Sequence, residues 1–135
     1  MTLAYLDSYR LMTQARGTLE RTLSQCLAPL GLTLSQFTLL DQLVQHKTSV
    51  SMHLSQQLGI SLSGVTTLVD QLERKQWLER LHHQPDRRRI KLSPTPAGNE
   101  VHARATALLA RLPDEAERVV PGAYFEALNV MLRAF

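Results

Sequence analysis

The chain has 135 residues, of which 44% are hydrophobic and 20% charged, an ordinary globular composition that argues against disorder and fits one domain. No apolar run is long enough to cross a bilayer, and the N-terminus lacks the basic-then-apolar order of a signal peptide, so we expect a cytoplasmic protein without membrane contact. The only cysteine, Cys26, excludes an intrachain disulfide and a cysteine cluster for zinc.

The positive charge is concentrated in one segment. Between Arg74 and Lys91 the chain carries seven basic and two acidic residues, a net of +5 in a chain whose total is +3. A local basic patch of this kind favours an anionic partner, with nucleic acid the first candidate. A solvated charged hairpin would account for the same charge, so charge alone leaves both interpretations open.

The first part of the chain, residues 3–29, predicts one long helix that Pro29 and Gly31 end. Its apolar residues recur at three- and four-residue steps, namely Leu19, Leu23, Cys26, Leu27 and Leu30. Thr33 followed by Gln36 fits the capping box, in which each side chain satisfies a free backbone N–H of the first turn. A second helix over 34–46 follows, with Phe37, Leu40 and Leu43 on its inner face.

Two shorter helices come next. The third begins after Ser51, and Gly59 suits the tight turn behind it; Ser61 can then cap a fourth helix over 62–75. Its apolar positions are Val65, Leu68, Val69 and Leu72, at the spacing of one helix face. The opposite face is small, polar and rich in hydroxyls, carrying Ser63, Thr66, Thr67, Asp70, Gln71 and Arg74. Such side chains admit a close approach and bond to phosphates or base edges, so the pair of helices predicts a helix-turn-helix.

After this helix, apolar and polar residues alternate with a period of two, as in a β-strand. Leu78 to Ser93 predicts two short strands joined across Gln84 to Arg88, a hairpin that places Arg87, Arg88 and Arg89 at its tip. Thr95 then caps a helix with Pro96 at its first position. The expected fold is mainly α with a small β-hairpin wing, a winged helix-turn-helix with additional terminal helices. Apolar residues of the last segment, Leu128, Met131, Leu132 and Phe135, call for a partner surface.

The order "LSQFTLLDQL … LSQQLGIS … VTTLVDQLERKQWLER … PDRRRIKLSPTPAG" resembles the MarR family of bacterial transcriptional regulators. Its distinctive parts are the stretch from Val65 to Glu73, the Asp-x-Arg at 86–88, and the Thr-x-x-Gly at 95–98. The resemblance implies a homodimer on a pseudo-palindromic operator in double-stranded DNA. Within a single MarR-like domain over 1–135, it implies a DNA-binding lobe over 34–94 and helical dimerisation regions over 1–30 and 95–135.

The resemblance also implies a DNA-binding surface. The fourth helix would lie in the major groove with Ser61, Ser63, Gly64, Thr66 and Thr67 nearest the DNA, although hydroxyls bond to several bases and to phosphates alike. Arg88 would enter the minor groove, braced by Asp86, while Arg87 and Arg89 would meet phosphates or solvent. The family commonly has an arginine at the place of Thr67, so one phosphate or base contact would either be missing here or be supplied by Arg74.

Two further positions depart from the family pattern. Gln76 replaces a common glycine behind the fourth helix, which puts the end of that helix in question. Pro94 replaces a usual leucine, so the second wing strand is expected to stop early.

Regulation by a small molecule is a further implication of the resemblance. Many relatives lose DNA affinity when a small aromatic or lipophilic ligand binds between the dimer layer and the lobe, a crevice that would here draw on Tyr9, Met12, Arg16 and Phe37. Each of these four residues is equally consistent with ordinary core or interface packing. A sensor acting through Cys26 is an alternative, but its place on an apolar stripe favours an inert buried thiol.

Other functional classes find less in the sequence. There is no phosphate-binding glycine loop, nucleophile elbow or cluster of acids, so no catalytic residue and no cofactor are expected. His82 and His83 are adjacent on a predicted strand and point to opposite faces, so no metal site is expected either. A winged helix that binds only proteins remains an alternative, against which the adjacent wing arginines argue.

Overall fold

A computed structural model describes residues 2–47, 49–81 and 90–112. The elements in chain order are helix α1 (Thr2–Leu27), a 3₁₀ turn (Ala28–Leu30), α2 (Leu34–His46), strand β1 (Ser49–Val50), α3 (Ser51–Leu58), α4 (Leu62–Arg74), β2 (Leu78–Arg80), β3 (Lys91–Pro94) and α5 (Pro96–Leu109). The predicted fold class, mainly α with a small β-hairpin wing, is confirmed. The hairpin tip and the segment after residue 112, which include Asp86, Arg87, Arg88 and the C-terminal apolar residues, lie outside the described residues.

The corner between the first two helices follows the expected signals with a small shift. α1 ends at Leu27, two residues earlier than predicted, because the chain first tightens into the 3₁₀ turn around Pro29. Gly31 then adopts a left-handed φ of 72°, which glycine tolerates without steric cost. The predicted capping box is present: Gln36 N donates to Thr33 Oγ1 (3.1 Å), and Thr33 N donates to Gln36 Oε1 (3.2 Å).

The core surrounds α2. Leu39, Leu40 and Leu43 are fully buried there, whereas Phe37, predicted on the same inner face, is only half-buried. The other buried apolar side chains come from the neighbouring helices, from the loop before α2 and from strands β2 and β3, namely Leu27, Leu32, Leu54, Val65, Val69, Leu72, Leu78, Leu92, Val101 and Ala105. Helix α5 therefore packs into the same core as the helix-turn-helix. This packing fixes the first turns of α5 against α2 to α4.

The sheet has three antiparallel strands in the order β1-β3-β2. β1 has only two residues, too few to show an alternating pattern, and the sequence did not predict it. β3 extends through Pro94, so the expected early stop is wrong. Thr95 N donates to Trp77 O (3.1 Å), and the alternation of antiparallel bonding turns the Pro94 nitrogen away from β2. β1 pairs no further along β3 than Leu92, so no strand needs that missing donor.

The turn after α4 accommodates a side chain where the family commonly has glycine. α4 ends at Arg74, one residue before the predicted end, and Gln76 takes a left-handed φ of 61°. Gln76 N bonds to Glu73 O (2.9 Å) and Trp77 N to Leu72 O (3.0 Å), which satisfies the last carbonyls of the helix. The helix end is thus well formed, at the conformational cost that a non-glycine residue has in this region.

The Thr-x-x-Gly segment has a direct packing explanation. Thr95 caps α5 by accepting a hydrogen bond from Gly98 N (3.0 Å), and Pro96 occupies the first turn as predicted. A Cβ at Gly98 would lie 1.9 Å from Trp77 O, far inside contact distance. Only glycine therefore lets α5 pass this close to the backbone between α4 and β2.

The N-terminal half of α1 leaves several large apolar side chains in solvent: Tyr5, Leu6, Tyr9, Leu11 and Met12. In the part of the chain that the structure describes, no single helix is long and apolar enough to cross a membrane. Only the bent pair Tyr5–Leu30 and Leu34–His46, at 76° to each other, reaches that length and composition.

Candidate nucleic-acid interface

α4 presents two chemically different faces. Val65, Val69 and Leu72 are buried against the core, as the spacing predicts, and Leu68 is half-buried. Ser63, Thr67 and Arg74 are exposed and share one stripe, because seven and eleven residues on a helix return to nearly the same direction. The predicted outward face is therefore directed away from the core.

The structure brings five of the predicted DNA-binding residues together in the first turns of α4. We call this surface the hydroxyl face: Ser61, Ser63, Gly64, Thr66 and Thr67. Ser61 caps the helix by accepting from Gly64 N (3.0 Å), as predicted, and its Oγ also lies 3.0 Å from Ser63 Oγ. Arg74 is at the other end of the helix, roughly 16 Å along its axis from Ser63.

The C-terminal half of α4 is tied to the rest of the lobe. Gln36, only 5% exposed, donates from Nε2 to Gln71 Oε1 (2.9 Å) and accepts from Lys75 Nζ (3.1 Å). Lys75 also donates to Gly31 O and lies 4.9 Å from the centre of the Trp77 ring. Gln71, expected on the outward face, thus serves to connect α4 with α2.

Arg80 on the first wing strand joins the wing to α4, a role that sequence reasoning missed. Its guanidinium donates to Asp70 Oδ1 (2.6 Å) and to Glu73 Oε1 (3.2 Å). Asp70 lies on the outward stripe of α4, where an unpaired carboxylate would repel a phosphate backbone. The pairing neutralises that charge and fixes the strand against the helix. An aspartate amid an otherwise basic, hydroxyl-bearing face was the sequence signal for such a partner.

The basic segment is consequently less uniform than its sequence indicated. Lys75 and Arg80 have intramolecular partners, whereas Arg74 and Lys91 are exposed and have no hydrogen bond or ion pair with another described residue. Within the segment from Arg74 to Lys91, the free cations that the structure describes therefore lie on α4 and on β3. The net charge of the segment therefore overstates the number of its cationic side chains that are free to bind an anion.

The predicted ligand-binding residues are not collected into one site. Tyr9, Met12 and Arg16 share an exposed face of α1, and Arg16 donates to Glu20 Oε1 (2.8 Å). Phe37 instead stacks on His102, with ring centroids 5.5 Å apart, and His102 Nε2 lies 2.7 Å from Asp41 Oδ1. A cavity of about 270 Å³ opens elsewhere, between the 3₁₀ turn, Trp77 and α5. None of the four predicted residues lines that cavity.

Cysteine and histidine chemistry has little support within 2–47, 49–81 and 90–112. Cys26 is half-buried on α1, consistent with its place on the apolar stripe. His46 and His53 meet edge to face with centroids 6.4 Å apart. In those ranges no three His, Cys, Asp or Glu residues converge on a position that could hold a metal ion.

Two helices joined by the Gly59 turn, followed by a two-stranded wing and preceded by α2, define a winged helix-turn-helix protein. The MarR family model matches residues 30–89, which covers α2 to the wing. The multiple antibiotic resistance protein MarR of Salmonella typhimurium is 30% identical over 89 residues, which are 66% of this chain and 62% of that protein. The transcriptional repressor MdtR of Bacillus subtilis is 34% identical over 85 residues, 60% of this chain and 55% of MdtR.

Solved structures agree over a longer stretch. Escherichia coli MarR complexed with operator DNA superimposes with a TM-score of 0.84 at 23% identity, covering 97% of this chain and 94% of MarR. BpsR of Bordetella bronchiseptica, whose DNA binding is regulated by 6-hydroxynicotinic acid, has a TM-score of 0.81 at 19% identity, covering 95% and 97%. These two likenesses concern the fold alone, whereas the family-model match and the relatives matched in sequence support the identification of the chain as a MarR-family regulator.

Proposed function

We propose that this chain is a sequence-specific DNA-binding transcriptional regulator that acts as a repressor in the bacterial cytoplasm. The observation that carries the proposal is the exposed hydroxyl face on the second helix of a helix-turn-helix in a MarR-family chain. Short side chains there leave the backbone of α4 open to close approach, which a helix in the major groove requires. MdtR is named a repressor, and the structure of MarR with operator DNA supplies the precedent for the partner.

The wing completes the proposed interface. Arg88 enters the minor groove, Asp86 holds its guanidinium in one orientation, and Arg87 contacts a phosphate. Arg74 and Lys91, both exposed, add phosphate contacts on either side. Arg80 is paired with Asp70 and Glu73, so it positions the wing against α4 and does not contact the DNA.

The proposed regulator is a homodimer whose two lobes bind the half-sites of a pseudo-palindromic operator. The N-terminal half of α1 supports this assembly because Tyr5 is 81% and Tyr9 66% exposed, alongside Leu11. Three large apolar side chains on one helix are costly to leave in water, and a second copy can cover them. Sedimentation at micromolar concentration should give twice the mass of one chain, and a monomer would contradict the assembly.

Release from DNA by a small aromatic or lipophilic ligand is the last part of the proposal. Tyr9, Met12 and Arg16 lie on the same exposed face of α1, so a ligand could reach them at a junction that the dimer completes. BpsR provides the precedent of a small aromatic acid that regulates DNA binding. Calorimetry with salicylate or 6-hydroxynicotinate tests this part, and no heat at millimolar ligand would count against it.

The central test compares DNA binding by the intact protein with that of Arg88→Ala. A duplex selected from a random library is expected to bind the variant more weakly by on the order of 1–3 kcal/mol, with an unchanged unfolding midpoint. Arg104→Ala removes the same side chain from an exposed position of α5 and is the matched control. Equal affinity of Arg88→Ala and the intact protein would reject the role of the wing.

Salt dependence separates the proposal from a winged helix that binds only proteins. Affinity for DNA should fall steeply and linearly on a logarithmic scale with ionic strength, because each phosphate contact releases a counterion. A protein-binding module would select no duplex from the library at all.

A further inference from the structure

The side chains of the hydroxyl face have almost no hydrogen-bond donors left for a ligand. Thr66 Oγ1 donates to Leu62 O (3.0 Å), and Thr67 Oγ1 donates to Ser63 O (3.1 Å). A hydroxyl has one hydrogen and two lone pairs, so each threonine retains only the capacity to accept. Bonding to the carbonyl four residues earlier is a local arrangement that the helix itself maintains.

The two serines of the same face are committed in a similar way. Ser61 Oγ accepts from Gly64 N (3.0 Å) and shares one hydrogen with Ser63 Oγ at 3.0 Å. One of the two serines therefore donates to the other, which leaves one hydroxyl hydrogen among the four side chains. No side-chain amide, guanidinium or ammonium group belongs to this surface, since Arg74 lies several turns away, and the free backbone N–H groups of the first turn are the other donors there.

Apolar groups occupy the space between these acceptors. Ile60, 36% exposed, stands directly before the helix, and its Cδ1 lies 3.7 Å from where a Cβ would sit on Gly64. Thr67 is exposed and adds a methyl group, while Gly64 adds none. The start of α4 thus offers methyl surface and acceptor oxygens at close range.

The four base pairs differ in what they require of such a surface. In the major groove guanine presents two acceptors, N7 and O6, which need donors and usually receive an arginine or lysine. Thymine presents a methyl group, and adenine presents an amino group that donates. Acceptor oxygens can receive a hydrogen bond from the amino group of adenine or cytosine, methyl surface complements thymine alone, and guanine, which presents only acceptors, is left without a partner.

We propose that the hydroxyl face selects A·T pairs at the centre of each half-site through contact with thymine methyl groups and discriminates against guanine there. This inference rests on the proposed function, since it concerns what the same DNA-binding helix reads. Ile60, Gly64 and Thr67 are its specificity-determining residues. Contact by the wing also favours A·T pairs, but through the minor groove, where no thymine methyl is present.

The test begins with a duplex selected by the intact protein from a random library and then changes single atoms of its bases. Replacing each thymine by uracil removes only the methyl group. At the positions under α4 this should weaken binding about four-fold, the value of one buried methylene-sized group. Replacing any guanine in the remainder of the half-site by 7-deazaguanine removes its N7 acceptor and should leave the affinity unchanged.

Two variants at one residue extend the test to the protein. Thr67→Ser keeps the oxygen and removes the methyl group, so the selected preference for thymine should weaken at the position that this residue contacts. Thr67→Arg introduces a donor and should add guanine to the selected half-site. A library that yields no preferred duplex would reject the proposed function itself. A preferred duplex in which α4 covers guanines, sensitive to 7-deazaguanine and insensitive to uracil, would overturn only this inference.

Discussion

The two halves of α4 are held by different partners. The first half, the hydroxyl face, bonds almost entirely to itself: Thr66 to Leu62, Thr67 to Ser63, and Ser61 to Gly64. The second half bonds to other elements, with Gln71 joined to α2 and Asp70 joined to β2. The second half therefore sets where the helix lies, and the first half is free to contact something outside the chain. Substitution of Gln36, which anchors the second half, should mainly lower stability. Substitution in the first half should mainly lower DNA affinity.

The largest loss of stability is expected at Gly98, where α5 packs against the turn that follows the second half of α4. Gly98→Ala places a methyl group 1.9 Å from Trp77 O, a backbone atom that cannot move alone. We expect a loss of more than about 3 kcal/mol in the free energy of unfolding. Thermal unfolding followed by circular dichroism measures it. Ala97→Gly, at the exposed neighbouring position, is the control and should cost no more than about 1 kcal/mol.

Gln36 is the next most sensitive position. Gln36→Leu leaves Thr33 N, Lys75 Nζ and Gln71 Oε1 without this partner, so a loss of about 2–3 kcal/mol is expected. Gln36→Glu keeps the two acceptor contacts and loses only the donor to Gln71, and its loss should be clearly smaller. Urea titrations at one protein concentration compare them, and equal midpoints for the two variants would contradict the contact network.

Arg80 should matter more to DNA binding than to stability. Arg80→Met keeps the aliphatic stem and removes the charge, and because the paired carboxylates are 44% and 42% exposed, stability should change by about 1 kcal/mol at most. DNA affinity should fall several-fold, because Asp70 and Glu73 then face the phosphates unneutralised. Adding Asp70→Asn and Glu73→Gln to Arg80→Met should restore much of the affinity. No recovery would mean that Arg80 acts in another way.

Gly64, in the first half of α4, should show the pattern opposite to that of Gln36. Its Cβ position is 3.3 Å from Ser61 Oγ and farther from all else, so Gly64→Ala requires only a small side-chain shift. Helix propensity favours alanine by about 1 kcal/mol, so the unfolding midpoint should stay level or rise slightly. DNA affinity should fall by on the order of 1–3 kcal/mol, because the methyl group occupies space that the groove needs. Unchanged affinity would remove Gly64 from the interface.

The parts of the fold that sequence predicted well are those governed by neighbours along the chain. Caps at Thr33, Ser61 and Thr95 and the apolar spacing of α4 involve residues within four positions of each other, so the pattern contains the whole interaction. Strand β1 was missed because two residues form no pattern, and it exists through pairing with Leu92, more than forty positions away. The role of Arg80, one of the seven basic residues of the segment from Arg74 to Lys91, was missed because its carboxylate partners lie seven and ten residues away on a different element.

The amino-acid sequence by itself determined the winged helix-turn-helix, the family and the location of the hydroxyl face, since periodicity and capping are local. It left open what the hydroxyls can read, because a hydroxyl in isolation both donates and accepts. The tertiary structure decided how the charges divide, with Lys75 and Arg80 bonded to other residues of the chain and Arg74 left without such a partner among the described residues. The α4 backbone decided what the two threonine hydroxyls can read. Its carbonyls accept the hydroxyl hydrogens of Thr66 and Thr67, so the oxygens of these side chains can only accept hydrogen bonds from DNA.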